Sequence, residues 1–295
     1  MTAAPGWGRA LEHAARSRLT LLLGDVDTGK TSLAVFLANE LCRKGFRVGV
    51  VDTDLGQSEI GPPTTIGLGH VRRPLDRLGD AEAVGLFFIG ATSPAGHVGA
   101  TVTGTRRMAD QGATLGCERL LVDTSGLVAG VLGRSLKQKK IERLDPDLVI
   151  CLERSRECEA ILRDFSGRAR PEILRLPVGE ELRRRSAEAR RRHRESALDA
   201  YFQSAVTRHL SLAGLGWRRM SDGRHDGLVP FARLDGLEGA LVGLDDAAGD
   251  TLGLGAIRAV DAIERALVVD TPVRDAPIAG LRWGRDVLPS VQPAR

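Results

Sequence analysis

Gly24-Asp25-Val26-Asp27-Thr28-Gly29-Lys30-Thr31 constrains this chain more than any other stretch, because it fits the phosphate-loop pattern G-x-x-x-x-G-K-[ST]. The apolar run at residues 19–23 feeds it and reads as a buried strand. Beyond it, Leu33, Phe36, Leu37 and Leu41 recur at helical spacing until Gly45 stops the pattern. A strand that ends in a glycine turn and opens a helix presents successive backbone N–H groups and the positive end of the helix dipole to an anion. Gly24, Asp25, Val26, Asp27, Thr28, Gly29, Lys30, Thr31 and Ser32 are therefore expected to bind a nucleoside triphosphate. Lys30 would bridge the β- and γ-phosphates and the Thr31 hydroxyl would hold Mg²⁺, so ATP and Mg²⁺ are the expected cofactors.

A second buried run at residues 47–51 delivers Asp52 at its carboxyl end, the edge at which open parallel sheets bind ligands. Apolar runs follow at residues 86–89, 119–122, 148–152 and 173–176, each separated from the next by enough chain for a helix. This alternation predicts an α/β fold, a P-loop NTPase-type parallel sheet with helices on both faces. After about residue 207 the pattern changes to short glycine-rich segments at 228–234, 239–244, 251–260 and 265–269, separated by turn pairs such as Asp222-Gly223 and Gly249-Asp250. Two domains are expected, a P-loop domain over 1–207 and a small β-rich domain over 208–295.

Composition excludes little else. The 295 residues are 42% hydrophobic and 27% charged, as in soluble globular proteins, and a net charge of +4 permits a polyanionic partner without requiring one. No segment approaches the roughly 18 consecutive apolar residues of a membrane span, and no signal-peptide core precedes the first strand. A cytoplasmic protein without a membrane partner is expected. Cys42, Cys117, Cys151 and Cys158 lack C-x-x-C spacing and read as buried thiols rather than a zinc site.

Asp52-Thr53-Asp54-Leu55-Gly56-Gln57 adds chemistry to the nucleotide site. One carboxylate can reach Mg²⁺ while the other orients an incoming hydroxyl and accepts its proton, and Gln57 can position the substrate. An ordinary metal-side aspartate with a solvated neighbour is the plainer alternative. The arginine-rich stretch 183–194 would either stabilise charge on a transferred phosphoryl group or be a solvated helix. Asp123-Thr124-Ser125-Gly126 matches the D-x-x-G of GTPase switches, but no [NT]-K-x-D guanine-reading motif follows. His97 is the one histidine in an expected active-site loop, and a solvated or capping role suits it better than catalysis.

With these segments in order, the chain resembles the Clp1/Grc3/Nol9 family of polynucleotide 5′-hydroxyl kinases. The phosphate loop carries the family's aspartate at Asp27, with Asp25 where a proline is common. Residues 52–57 match D-x-D-x-G-Q, and Thr92-Ser93-Pro94 resembles the segment that clasps the substrate side. Residues 123–130 resemble N-T-x-G-W-V-x-G, so Gly126 joins the expected substrate site, although Leu127 replaces a common aromatic residue and Ala129 a frequent lysine. Arg185-Ser186 followed by Arg190 resembles the lid pattern R-S-x-x-x-R, which implies a lid at about 180–195 with Arg185 and Arg190 closing over the phosphates.

The resemblance implies transfer of the ATP γ-phosphate to the 5′-hydroxyl end of RNA or DNA. Asp52, Lys30, Arg185 and Arg190 are the expected catalytic residues, Thr31 and Asp54 the metal ligands, with the two aspartate roles exchangeable. Gln57, Thr92, Ser93, Pro94 and Gly126 would contact the acceptor. The alternatives are a nucleotide-dependent switch or assembly protein, from the D-x-x-G match, and a kinase for a small alcohol or nucleoside, from the missing aromatic at Leu127.

Overall fold

Alternation along β1 (Leu19–Gly24) sets up the layers of the molecule: Leu21 and Leu23 enter one apolar layer and Leu22 the other. In the computed structural model, which describes residues 4–178, 186–213, 215–221, 224–226, 237–261 and 263–283, β1 is the centre of a parallel array. β5 (Arg119–Asp123) and β6 (Leu148–Glu153) flank it, with β2 (Val48–Asp52) beyond β5 and β7 (Glu172–Pro177) beyond β6. Helices α1 (Trp7–Arg16) and α2 (Lys30–Arg43) cover the Leu22 face. Helices α3 (Val98–Thr114) and α4 (Gly130–Leu144) cover the other, so the expected two-sided α/β sheet is present. Short α5 (Glu159–Leu162) follows β6.

Two strands extend the sheet past β2. β3 (Thr65–Val71) runs antiparallel to β2, and β4 (Glu82–Phe88) antiparallel to β3, giving the order β4-β3-β2-β5-β1-β6-β7. The sequence reading missed β3 because Gly67 and Gly69 dilute its strand pattern. Space requires them: a Cβ on Gly67 would lie 1.9 Å from the Ile60 carbonyl oxygen.

Helix α6 (Ala187–Phe202) crosses from this sheet to a second one, of order β10-β9-β14-β11-β12-β13-β8. Its strands are β8 (Val206–Ser211), β9 (Gly216–Ser221), β10 (Arg224–Asp226), β11 (Leu241–Asp245), β12 (Thr251–Asp261), β13 (Ala266–Thr271) and β14 (Gly280–Trp283). Pairing is antiparallel except between β14 and β9. The expected segments at 239–244, 251–260 and 265–269 are β11, β12 and β13; the one at 228–234 lies outside the described residues.

The two sheets share apolar packing. Leu241, Leu254 and Ala256 belong to the same core as Phe88, and a Cβ on Gly243 would lie 2.6 Å from that of Phe88. Phe88 also donates its backbone N–H to Thr251 Oγ1 at 3.1 Å. No helix among the described residues is long and apolar enough to cross a membrane.

Candidate active site

The carboxyl ends of β1, β2 and β5 open into a cavity of about 730 Å³. The loop after β1 forms one wall. Asp27 (φ 55°) and Gly29 (φ 85°) take left-handed backbone conformations that turn the chain into α2, whose amino end has no side-chain cap. Gly24 leaves no room for a Cβ, which would meet the Leu152 carbonyl oxygen at 2.5 Å. Lys30 is buried, and its Nζ donates to the Asp25 carbonyl at 2.7 Å. Burial lowers its pKa, against the opposing pull of Asp123, Asp54 and Asp25.

Two contacts that sequence spacing did not reveal brace this loop from outside. Arg154, just past β6, donates to the carbonyls of Asp27 at 2.7 Å and Val26 at 3.4 Å. Gly126, expected at the substrate, lies against the loop backbone: a Cβ there would stand 2.5 Å from Val26 N and Cα.

Thr31 Oγ1 donates to Asp123 Oδ2 at 2.6 Å. Asp123 is buried, and its Oδ1 has no hydrogen-bond partner among the described residues. Burial raises its pKa, while Lys30 and the Thr31 bond oppose the rise. A hydroxyl beside a carboxylate with an unsatisfied buried oxygen is the hard-oxygen donor set that suits Mg²⁺. The sequence places Asp123 in D-x-x-G and in the 123–130 stretch without a metal role; its position at the end of β5, in register with Asp52, is the signal for one.

The facing wall begins with Asp52, only 2% exposed. Its Oδ1 accepts from Asp54 N at 3.0 Å, and its Oδ2 from Glu59 N at 2.6 Å, Ile60 N at 3.1 Å and Ser58 Oγ at 3.4 Å. The carboxylate thus folds its own loop. Burial, followed by the charge of Asp123, raises its pKa to about 7. Asp54 is half-buried, accepts from Gly56 N at 3.0 Å and Gln57 N at 2.9 Å through Oδ1, and acts electrostatically on Lys30.

Two lysines on α4 support this wall from below. Lys137 Nζ donates to the Ser125 carbonyl at 2.5 Å, and Lys140 Nζ to Thr53 Oγ1 at 2.6 Å; both side chains are fully buried. Burial lowers both pKa values, that of Lys140 to about 7. Neither lysine is a candidate from sequence, because their spacing on α4 carries no motif.

The remaining wall gathers distant segments. Thr92, Ser93 and Pro94 line the cavity, and the Thr92 carbonyl would lie 2.9 Å from a Cβ on Gly56. Arg190, His193 and Arg194 of α6 line it too, along with Leu127 and Ala129. Gln57 Nε2 donates to the Arg190 carbonyl at 3.1 Å, joining the D-x-D-x-G-Q loop to the helix. Ser186 Oγ caps α6 by accepting from Ala189 N, while Arg191 and Arg192 pair along the outer face with Glu195 and Glu188. Arg185 lies outside the described residues. Buried His97 precedes α3 and accepts through its carbonyl from Thr101, which lines the cavity although His97 does not.

Folding also brings Cys151, Glu153 and Cys158 within 4.8 Å of one another, a grouping invisible to C-x-x-C spacing. Arg175 occupies Glu153 Oε1 at 2.7 Å, and the Cys151 thiol donates to Oε2 at 3.7 Å, so protein partners already satisfy the carboxylate.

Residues 24–204 match the family model described as mRNA cleavage and polyadenylation factor CLP1 P-loop. The chain is 29% identical to a polyribonucleotide 5′-hydroxyl-kinase of Methanocaldococcus jannaschii, across 89% of this chain and 84% of that one. It is 30% identical to a polyribonucleotide 5′-hydroxyl-kinase of Pyrococcus abyssi, across 93% and 89% of the two chains. Its fold is similar to that of Clp1p in a complex with Pcf11p, with a TM-score of 0.68 at 16% identity over 95% of this chain and 77% of that one.

Proposed function

The chain belongs to the CLP1 P-loop family, and from that premise we infer that it transfers the γ-phosphate of ATP to the 5′-hydroxyl end of a polynucleotide. The observation that carries this reading is the single cavity that holds the phosphate loop, the D-x-D-x-G-Q loop, residues 92–94 and the arginines of α6. Its relatives' names point to RNA as the acceptor class. In this reading residues 1–207 are the transferase unit and 208–295 its β-rich companion.

Each residue's assignment follows its surroundings. The N–H groups of the phosphate loop hold the triphosphate, and Lys30 leaves the Asp25 carbonyl to neutralise the β- and γ-phosphates. Thr31 and Asp123 would hold Mg²⁺, which when bound supplies positive charge to the phosphate oxygens. Asp123 takes the place that the sequence reading gave to Asp54, because it carries the Thr31 bond and an unsatisfied buried oxygen.

Of the two exchangeable aspartates, Asp54 is the one we assign to the acceptor hydroxyl, which it orients and whose proton it accepts. Its partial exposure and its interaction with Lys30 support this, whereas four donors surround the buried Asp52 carboxylate. Arg190 and Arg185 neutralise charge developing on the phosphoryl group. Gln57, Thr92, Ser93 and Pro94 position the acceptor end, and Gly126 keeps the wall beside it close to the phosphate loop.

Incubation with γ-labelled ATP, Mg²⁺ and an oligoribonucleotide bearing a 5′-hydroxyl should place the label at the 5′ end. An unlabelled oligonucleotide, with folded protein that binds ATP, would overturn the proposal.

A further inference from the structure

Three attachments to the transferase elements converge on residues 248–254 of the second sheet. From α3, which follows the 90–94 segment, Arg107 pairs with Asp250 at 2.8 Å and donates to the Ala248 carbonyl at 3.2 Å. From β4, which precedes that segment, Phe88 N–H donates to Thr251 Oγ1 at 3.1 Å. From the last turn of α6, Tyr201 Oη accepts from Leu254 N–H at 2.8 Å. These bonds therefore tie down both flanks of the 90–94 segment and the far end of the arginine helix.

The stretch receiving them is itself rigidly held. Asp246 closes the turn by accepting from Asp250 N at 2.9 Å, and Gly249 (φ 79°) provides the left-handed residue the turn needs. Buried Arg282 donates to Thr251 Oγ1 and to Asp245, and its guanidinium stacks 4.7 Å from the Phe87 ring centroid, next to the Phe88 anchor. Thr271 Oγ1 donates to the Leu254 carbonyl at 2.7 Å. Close packing excludes a side chain at Gly253, where a Cβ would lie 2.6 Å from Tyr201 Oη.

Leverage makes this arrangement consequential. Arg190 precedes Tyr201 by eleven residues, about 16 Å along a helix at 1.5 Å per residue. A tilt of about 5° at Tyr201 would move Arg190 by roughly 1.4 Å, and a misplacement of about 1 Å can cost on the order of 10²-fold in rate.

We propose that residues 248–254 act as the fulcrum of the active site, fixing α6 and the 90–94 segment relative to each other so that Arg190 is positioned over the transferred phosphoryl group. Tyr201 and Thr251 are then positioning residues for a reaction they never touch. The proposal rests on the lid role given to Arg190 above.

The test uses the full chain and compares Tyr201→Phe, Thr251→Val and Thr251→Ser. With ATP and a 5′-hydroxyl oligoribonucleotide, Tyr201→Phe and Thr251→Val should each lower kcat about five- to tenfold. Each should leave the KM for ATP within about twofold, and Thr251→Ser should recover wild-type kcat to within about twofold. Amide hydrogen exchange over residues 187–198 should quicken in the two impaired variants, with α2 unchanged. Unchanged kcat in Tyr201→Phe overturns the proposal, as does a rise in the KM for ATP that matches the fall in kcat, or no rescue by serine. If the wild-type protein labels no oligonucleotide, the proposed function fails by itself. Hydrogen exchange then decides the fulcrum, and unaltered exchange over 187–198 in both variants overturns it.

Discussion

The phosphate loop takes its shape from residues 24–32 in one continuous stretch, whereas the wall facing it is assembled from residues 52–57, 92–94, 125–129 and 190–194. Backbone N–H groups and two left-handed residues do most of the work in the first, so its chemistry survives wherever strand, turn and helix follow in order. The second depends on side chains that reach across the fold: Gln57 to Arg190, Lys140 to Thr53 and Lys137 to Ser125. A local loop fails by losing its ligand. An assembled wall fails by losing its alignment while the nucleotide stays bound.

Mutations should separate these two failures. Lys30→Met should lower transfer by about 10³-fold and weaken ATP binding as well, measured by end-labelling and calorimetry; normal ATP affinity would break the contrast at once. Asp54→Asn should lower kcat by about 10²–10³-fold with the ATP dissociation constant within about twofold. If Asp52→Asn gives that pattern and Asp54→Asn does not, the two aspartate roles are exchanged. Arg190→Ala should cost about 10- to 100-fold in kcat and much less in ATP affinity. Equal losses would place this arginine in ground-state binding.

Smaller effects probe the support beneath the assembled wall. Lys140→Met leaves the buried Thr53 hydroxyl without its Lys140 partner and should reduce unfolding free energy by about 1–3 kcal/mol, read from urea melts. The pH dependence concerns Asp52, whose pKa in the folded protein is raised to about 7. Between about pH 4 and pH 7 the unfolded chain has released this proton and the folded one retains it. The Asp52 contribution to stability therefore declines as pH rises through that window. Urea melts at several pH values should show the wild type losing stability relative to Asp52→Asn over this range, and parallel curves would contradict the shift.

How much was legible follows the same division. The strands at 19–23, 47–51, 119–122 and 148–152 and helix α2 were readable because their periodicity is local and their neighbours are apolar. β3 was not, since Gly67 admits the Ile60 backbone and Gly69 the side chains of Ile60 and Ala81, rather than favouring a strand. Arg154 and the α4 lysines have no motif because their targets are backbone carbonyls and a hydroxyl, at separations from 12 to 127 residues, which any basic residue at the right place could serve. Asp123 stood in view within D-x-x-G, but the Thr31 bond and its unsatisfied buried oxygen distinguish its part from that of Asp54.

The sequence by itself determined that a strand, a glycine turn and a helix would form a triphosphate cradle, because φ/ψ preferences and apolar spacing act over a few residues. It also set out, in order, the acidic loop, the 92–94 segment and the arginines. Tertiary structure alone decided which arginines face the cavity, that Asp52 folds its own loop while Asp54 stands beside it, and that residues 248–254 bond to α3, β4 and α6. Those outcomes depend on burial and on hydrogen bonds between segments up to 163 positions apart, and such distances are fixed only when the whole chain packs.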